Sequence, residues 1–405
     1  MPAAWSRVEP GEGTGFRPPS IQWLRPELAT VAAVNRDPLN AVITWVDPPA
    51  EPRPGPLAGR TLLVKDLIDT AGVRTTYGSR IHADHVPART ATAAQRLLDA
   101  GAVLIGKANL TEYAWGVLGR NPWYGTVHNP VHPGRTTGGS SSGNAAALAS
   151  GMCELALGTD TGCSIRLPSA CCDTVGLKTR CGALPMDGIF PLCPTLDTVG
   201  PMARNVADVA LMWSVLAGRP APEPLLAGLT VGVLTRPPSV GDGRVPEGSD
   251  AAERWVAGLE RLGARVVAAS VPEPAANTWP LFFAEAAASH RATFPARAAE
   301  YGDNIRVKLE LAQRRHPAEV AAAYAALEEW RRYRPEVDLY VSPCVATELP
   351  PEDCDELEVR IPFSAWLRWV NLIGWAGLAV GNLQLIAPQD ETVLAAGLAW
   401  ERGAG

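Results

Sequence analysis

Short apolar segments alternate with helical segments along most of this 405-residue chain. The predicted strands are 61–65, 102–105, 153–157, 229–234, 264–268, 339–342 and a last one that begins at Leu383. The predicted helices are 92–100, 144–150, 205–216, 250–262, 281–299, 304–332 and one that ends at Trp400. This alternation predicts an α/β fold, in which helices cover both faces of a mostly parallel or mixed sheet.

The charge balance and the apolar segments restrict the partners of this chain. It carries 36 basic and 42 acidic residues, without the basic excess of a protein that neutralises phosphates, so we expect no nucleic acid partner. The longest apolar stretch, 369–387, contains Asn371, Asn382 and several glycines. We therefore expect it to form a buried helix, turn and strand, and we expect no membrane span.

Cysteine usage and the N-terminus both favour a cytoplasmic protein. The eight cysteines are scattered without the paired short spacings of a zinc site, and a chain of this length needs no disulfides, so we interpret them as reduced thiols. Residues 1–15 contain acidic residues and prolines where a secretory signal would have its apolar run. We expect no export and no metal.

Two runs of small residues are the strongest candidates for a functional site. Residues 136–144 hold three serines and three glycines before an alanine-rich helix, and residues 158–166 repeat the pattern of a loop that enters a helix. Such loops can direct successive backbone N–H groups at an anion or a developing oxyanion. Each run alone is also typical of a flexible turn with a helix cap, but two runs with Ser140 and Ser164 only 24 residues apart favour a site.

Other motif matches fail on inspection. Residues 101–107 resemble the start of a phosphate-binding loop, but Ala108 stands where a hydroxyl should bind magnesium. Ser141 lies at the centre of a Gly-x-Ser-x-Gly pattern, but no apolar strand precedes it. The histidine pairs 82/85 and 128/132 lack further ligands nearby, so polar surface residues are the better interpretation.

Lys65 is the natural candidate for a base that activates a serine. The chain has only four lysines beside 32 arginines, and a lysine can lose its proton whereas an arginine effectively cannot. Lys65 ends an apolar strand, and burial lowers a lysine pKa from about 10.4 toward the value of about 7 to 8 that a base needs. A simple ion pair with an acid remains the alternative.

These motifs together resemble the amidase signature family. The resemblance rests on 64–66, the two small-residue runs, 99–109, Glu112, 129–130, Val175–Lys178 and 194–201, in the family's order and spacing. The resemblance is good over about 30–220 and weak over about 340–402. The residues between these two ranges show no pattern specific to the family. The resemblance implies one amidase domain over 1–405 with the amidase-signature fold, a mixed sheet core with helices on both faces.

The resemblance also implies the roles of the site residues. Ser164 would be the nucleophile, Ser140 the bridging serine held by a cis peptide, and Lys65 the base, with no cofactor. The implied oxyanion donors are the N–H groups of Thr161, Gly162, Cys163 and Ser164, and the implied supporting residues are Ser141, Asp160 and Arg166. Trp115, Trp123 and Tyr124 fall where family members place part of the acyl pocket.

Departures from the family pattern leave several functions open. Ser142, Cys163 and Asp173 replace glycines, and Thr179 replaces a proline. The leading hypothesis is an amidohydrolase for a small-molecule amide. The alternatives are an acyl transferase with the same triad, an inactive binding protein on this scaffold, and the amidase component of a transamidation complex, which the short C-terminal half disfavours. A homodimer also remains open.

Overall fold

An eleven-stranded mixed sheet organises the chain in a computed structural model, which describes residues 37–404 apart from 48, 241–248, 272, 274 and 275. Residues 1–15, on which the expectation about export rests, lie outside the described residues. The prediction of one domain over 1–405 therefore stays a prediction.

The strands follow the predicted apolar segments and add several that the sequence did not reveal. They are β1 (Val42–Trp45), β2 (Thr61–Lys65), β3 (Val103–Ala108), β4 (Arg120–Asn121), β5 (Gly125–Thr126), β6 (Leu155–Asp160), β7 (Val175–Lys178), β8 (Thr198–Ala203), β9 (Thr230–Leu234), β10 (Arg265–Ala269), β11 (Leu339–Pro343), β12 (Ala376–Val380) and β13 (Leu383–Ala387). The large sheet runs in the order β1-β3-β2-β6-β8-β7-β12-β13-β11-β9-β10, and β4 and β5 form a separate pair.

Helices lie between these strands. They are α1 (Thr92–Asp99), α2 (Ser142–Ala149), α3 (Arg166–Cys171), α4 (Val206–Ala217), α5 (Val256–Arg261), α6 (Trp279–Ser289), α7 (Asp303–Gln313), α8 (Pro317–Arg332), α9 (Glu356–Ile373) and α10 (Asp390–Ala404). A six-residue 3₁₀ helix, Asp250–Trp255, precedes α5.

Strand β2 illustrates how the sheet gains two apolar faces. Side chains alternate along a strand, so Leu62 and Val64 pack with α1 and α4 on one face, whereas Leu63 packs with α2 on the other. Strand β2 is parallel to both neighbours, β3 and β6, whereas β6 pairs antiparallel with β8. The predicted mixed sheet with helices on both faces is confirmed.

Two predicted helices were wrong in their extent. The helix predicted over 281–299 ends at Ser289, and the Phe294–Pro295 peptide bond is cis. The helix predicted over 304–332 is two helices, because a proline disfavours helical geometry in the residue before it and Pro317 opens α8. His316 caps α8 in a capping box with Glu319.

The long apolar stretch 369–387 folds as the end of α9 followed by β12 and β13. Its polar members find partners inside the protein. Asn382, for example, donates to the Val345 carbonyl at 2.8 Å. Among the described residues, no helix is long and apolar enough to cross a membrane.

The resemblance implies a glycine at the position of Asp173, and the backbone conformation of Asp173 is one that favours glycine. Its φ is +54°, in the left-handed region that glycine occupies without steric cost. Aspartate tolerates this region better than most residues, because its short polar side chain can form local hydrogen bonds. The chain therefore places an aspartate in a backbone conformation that favours glycine.

We expect Asp173→Ala to lower the free energy of unfolding by about 1 kcal/mol relative to Asp173→Gly, because alanine has no local compensation for left-handed geometry. Urea denaturation of both variants measures this difference. Equal stability of the two variants would contradict the strain assigned to this position.

Candidate active site

Lys65 occupies the last position of β2, at the carboxyl end of the parallel strands β3, β2 and β6. Open α/β sheets commonly bind ligands at this end of their parallel strands. The alternation that places Leu63 against α2 directs Lys65 to the same face. The two small-residue loops meet the lysine there.

The amino group of Lys65 is surrounded by hydroxyl oxygens. Its Nζ lies 2.7 Å from Ser140 Oγ, 2.9 Å from Ser141 Oγ and 2.9 Å from Thr159 Oγ1. Ser141 Oγ donates to the Thr159 carbonyl at 3.3 Å, so it accepts from Lys65. A neutral amine has two N–H donors and one lone pair. Donation to Ser141 and Thr159 leaves that lone pair for the Ser140 hydroxyl.

Burial makes a neutral Lys65 accessible near neutral pH. The residue is 0% exposed, and this desolvation lowers the pKa of Lys65 to about 7, against the opposing charges of Asp160 and Asp197. No carboxylate forms an ion pair with Lys65 among the described residues. The ion-pair alternative therefore has no support in the structure.

Glycines bring the Ser140 loop close to its neighbours. Gly138 has φ +67°, and a Cβ on Gly139 would stand 2.7 Å from the Leu118 carbonyl oxygen. A Cβ on Gly143 would lie 2.2 Å from the Ala41 carbonyl oxygen. The peptide bond between Gly139 and Ser140 is cis, the conformation that the resemblance implies for the bridging serine.

Ser164 lies in the loop between β6 and α3 and lines an open cleft. The cleft contains about 520 Å³ of empty space, part of it open to solvent. Within the described residues, the backbone N–H groups of 161–164 donate no hydrogen bond, and their role as oxyanion donors stays a prediction. The Ser164 hydroxyl makes no hydrogen bond to Ser140 or Lys65 in the described part of the chain.

A buried ion pair holds the ends of the loop that carries Ser164, residues 161–165. Asp160 and Arg166 are both 0% exposed, and Arg166 binds the carboxylate through Nε at 3.1 Å and NH2 at 3.0 Å. Burial opposes ionisation, but Arg166 outweighs it and holds the pKa of Asp160 at about 2. Arg166 also donates to Leu367 and Gln384, and Asn371 joins both charged groups. The network ties the loop to α9 and β13.

Further contacts join the two loops to each other and to their surroundings. The Ser141 N–H donates to the Ser164 carbonyl at 3.1 Å, and Cys163 Sγ lies 3.8 Å from the Gly139 carbonyl. Burial raises the pKa of Cys163 to about 12, so its thiol stays neutral. Thr161 Oγ1 donates to Asp197 at 2.6 Å, and this bond fixes the start of the loop that carries Ser164.

The three aromatic residues assigned to the acyl pocket separate in the structure. Trp115 lines the cleft with Ser164. Trp123 instead donates to Glu112 at 2.7 Å beneath the Arg80 guanidinium, and the Tyr124 carbonyl accepts from Asn40. Neither Trp123 nor Tyr124 lines this cleft, and their role in substrate binding stays a prediction.

Sequence reasoning missed part of the cleft wall. Helix α9 contributes four lining residues at intervals of four, which are Glu356, Arg360, Ser364 and Arg368. Helix α6 contributes Trp279 and Phe282, and helix α7 contributes Lys308. The four-residue spacing is visible in the sequence, but nothing there indicates which face of the helix meets Ser164. Across the described residues, no group of three or more His, Cys, Asp or Glu side chains is placed to hold a metal ion.

The chain has an α/β fold, and its two loops form a site rich in serine. Comparison with known proteins identifies the family to which this fold and site belong. A family model described as Amidase matches residues 45–385. The chain therefore belongs to the amidase signature family, as the motifs imply.

Relatives and solved structures agree with this membership. A glutamyl-tRNA(Gln) amidotransferase subunit of Symbiobacterium thermophilum is 44% identical over 54% of this chain and 48% of its own length. The corresponding subunit of Natronomonas pharaonis is 40% identical over 59% of this chain and 61% of its own. The chain thus spans about half to three-fifths of the length of the curated relatives it matches.

Among solved structures, an amidase aligns with TM-score 0.74 and 29% identity over 86% of this chain and 85% of its own. A glutamyl-tRNA(Gln) amidotransferase subunit of Thermotoga maritima aligns with TM-score 0.74 and 25% identity over 90% of this chain and 87% of its own. The alignments cover most of this chain.

The shifted pKa of Lys65 predicts a pH-dependent stability difference. Its pKa is about 7 in the folded chain and ordinarily 10.5, so between these values the folded state binds fewer protons than the unfolded state. Wild-type stability then rises with pH, by roughly 1.4 kcal/mol per pH unit from this group. The free energy of unfolding of Lys65→Met lacks this contribution. We therefore expect its difference from the wild-type value to decrease by about the same amount per pH unit above pH 7, and urea denaturation of both proteins measures it. A difference that does not change with pH would mean that Lys65 stays protonated.

The Asp160–Arg166 pair predicts a large effect of a small substitution. Asp160→Asn leaves the buried Arg166 without a counter-charge, and breaking such a pair typically costs about 3–5 kcal/mol. We expect a loss of that size in the free energy of unfolding. Glu300→Gln, which breaks an exposed pair with Arg297, is the matched control and should leave the urea midpoint nearly unchanged. Wild-type stability of Asp160→Asn would refute the structural role of the pair.

Proposed function

We propose that this chain is an amidohydrolase that cleaves the C–N bond of a small-molecule amide through an acyl-enzyme on Ser164. The observation that carries the proposal is the buried Lys65 amine, 2.7 Å from Ser140 Oγ and with a pKa of about 7. A neutral amine in this position is a base for a serine hydroxyl, and a catalytic base works best when its pKa lies near the operating pH.

In the proposed reaction, Ser140 transfers its proton to Lys65 as it takes the proton of Ser164, and Ser164 Oγ attacks the acyl carbon. The available N–H groups at 161–164 stabilise the oxyanion, where one donor contributes about 3 to 4 kcal/mol in a comparable hydrolase. Ser140 then returns the proton to the departing nitrogen as the C–N bond breaks. Water attacks the resulting ester and releases the acid by the reverse relay.

The relay requires Ser140 and Ser164 to approach each other when substrate binds. Catalytic hydrogen bonds are often long in the free enzyme and tighten in the substrate complex. The hydrogen bond from the Ser141 N–H to the Ser164 carbonyl joins the two loops that carry these serines. Asp160 and Arg166 support the loop, and we assign them no proton transfer.

Acyl transfer is the second candidate, because the curated relatives of this chain are named as amidotransferase subunits. An acyl-enzyme on Ser164 can be attacked by an amine as well as by water. The two functions differ in the acceptor and share every residue of the proposed relay. The eight cysteines are free, which fits a reducing compartment, and we propose that the protein acts in the cytoplasm.

We expect a fluorophosphonate probe to add once to the wild-type protein, detected by intact mass, and not to Ser164→Ala. Ser150→Ala, at the C-terminal end of α2, is the matched control and should be labelled like the wild type. Lys65→Arg keeps the positive charge but provides no base, so its labelling rate should fall by roughly 10²- to 10⁴-fold. Absence of an adduct on all proteins would favour an inactive scaffold.

An amide screen with and without hydroxylamine separates the two reactions. A hydrolase releases acid and amine at equal rates without an added acceptor. A transferase releases little acid alone and forms the hydroxamate when hydroxylamine is present. The measurement uses the purified chain, which contains every residue of the proposed relay.

A further inference from the structure

Residues 114–117, which we call the wall segment, all line the cleft that contains Ser164. The segment begins in an unusual backbone conformation, because Tyr113 and Ala114 have φ values of +50° and +58°, in the left-handed region. Residues other than glycine rarely adopt this region, and they remain there only where the surrounding structure holds them. Such strained residues cluster at functional sites. The contacts that hold the wall segment are therefore candidates for a functional role.

A buried ion pair contacts the wall segment at two successive residues. Lys308 of α7 is 1% exposed, and its Nζ donates to the Trp115 carbonyl at 2.7 Å and to Glu356 Oε1 at 2.7 Å. The Glu356 carboxylate packs over Gly116, where a Cβ would stand only 2.6 Å from Glu356 Oε2. Asn304, one turn before Lys308 in α7, donates to the same Oε2 at 2.7 Å. These contacts join α7 and α9 to each other and to the wall segment.

Trp115 is the largest residue of the wall segment and gives the cleft an aromatic boundary. Its ring centroid lies 5.8 Å from those of Phe282 and Phe283, and Phe282 also lines the cleft. Lys308 Nζ lies 5.8 Å from the centroid of the Trp115 ring, so the lysine is close to the ring as well as to the carbonyl. A displacement of the Trp115 backbone would therefore move this boundary of the cleft.

We propose that the Lys308–Glu356 pair positions Trp115, and that this position limits the size of the acyl group that the enzyme accepts. The inference rests on the proposed amidase function. Two charges that bind each other can remain buried beside an apolar cleft, whereas either charge alone would be costly there. The pair can therefore oppose relaxation of the strained turn that precedes Trp115. Without the pair, Trp115 shifts and the cleft accepts bulkier acyl groups.

The test compares two substrates that differ only in one phenyl group on the acyl side, p-nitrophenyl acetate and p-nitrophenyl phenylacetate. Release of the same p-nitrophenolate gives kcat/KM for each ester, after subtraction of the rate with Ser164→Ala protein. The ratio of the two values measures the preference for the small acyl group, and we expect the wild type to prefer the acetate. Both esters are measured on one sample, so partial misfolding lowers both rates equally and leaves the ratio unchanged.

Variants of the pair and of Trp115 should change this ratio. Lys308→Met/Glu356→Leu removes both charges, a replacement that protein interiors often tolerate. We expect the preference for the acetate to fall roughly tenfold, the scale on which an apolar pocket discriminates by size. Trp115→Ala opens the same boundary directly and should also lower the preference. Arg306→Met/Glu310→Leu, which removes a half-exposed pair from the same helix, is the matched control and should retain the wild-type ratio.

Two further variants test how the pair acts. If it acts through Trp115, adding Lys308→Met/Glu356→Leu to Trp115→Ala should change the ratio little further, because coupled substitutions are not additive. Effects that multiply independently would mean that the pair contacts the substrate itself, and would overturn the positioning role. Asn304→Ala loosens the pair and leaves no buried charge alone, so it should lower the preference in the same direction.

An unchanged ratio in Lys308→Met/Glu356→Leu, or in Asn304→Ala where the former does not fold, would overturn the proposal. A wild type without preference for the acetate would do the same. Fluorophosphonate labelling of Ser164 decides the amidase function separately. A labelled wild type that cleaves neither ester would place the failure in the assigned acyl selectivity, whereas an unlabelled and inactive protein would place it in the proposed chemistry.

Discussion

The buried pair of Asp160 and Arg166 is the interaction on which the arrangement of the site depends. It closes the loop that carries Ser164, because one partner ends β6 and the other begins α3. A charge without a partner in this interior would be far more costly than the pair itself, so the two residues must remain together. Additional hydrogen bonds from Arg166 reach α9 and β13. The C-terminal part of the chain therefore helps to position the loop that carries Ser164.

Lys65 differs from Arg166, because within the described part of the chain no carboxylate forms an ion pair with its buried amine. Hydroxyl groups of Ser140, Ser141 and Thr159 satisfy the amine without favouring its charged form strongly, and its pKa falls to about 7. One site thus contains a pair of charges that stabilise each other and a lysine that loses its charge readily. Pairs of titratable groups whose environments separate their pKa values are typical of catalytic sites.

Local patterns in the sequence predicted the elements that depend on neighbouring residues. Strand β2 and helix α1 were predicted closely, because apolar alternation and helical period are local signals. The helix predicted over 304–332 is divided at Pro317, and the helix predicted over 281–299 ends earlier, at Ser289. The left-handed backbone conformation of Asp173 is not revealed by its residue type, because aspartate also occurs in ordinary conformations.

The α/β architecture, the two loops rich in glycine and serine and the candidate base Lys65 followed from residue patterns, whereas the roles of Ser140 and Ser164 in the proposed relay came from the resemblance to the amidase signature family. Glycine and serine reveal the two loops, and lysine reveals the candidate base, because backbone freedom, hydroxyl groups and a titratable amine are properties of residue types. Only the tertiary structure decided that Trp115 lines the cleft whereas Trp123 and Tyr124 do not, and that Arg368 lies against Gly162. Residues 162 and 368 are far apart along the chain, and their proximity and the desolvation of Lys65 arise from packing among many elements, which no local pattern encodes.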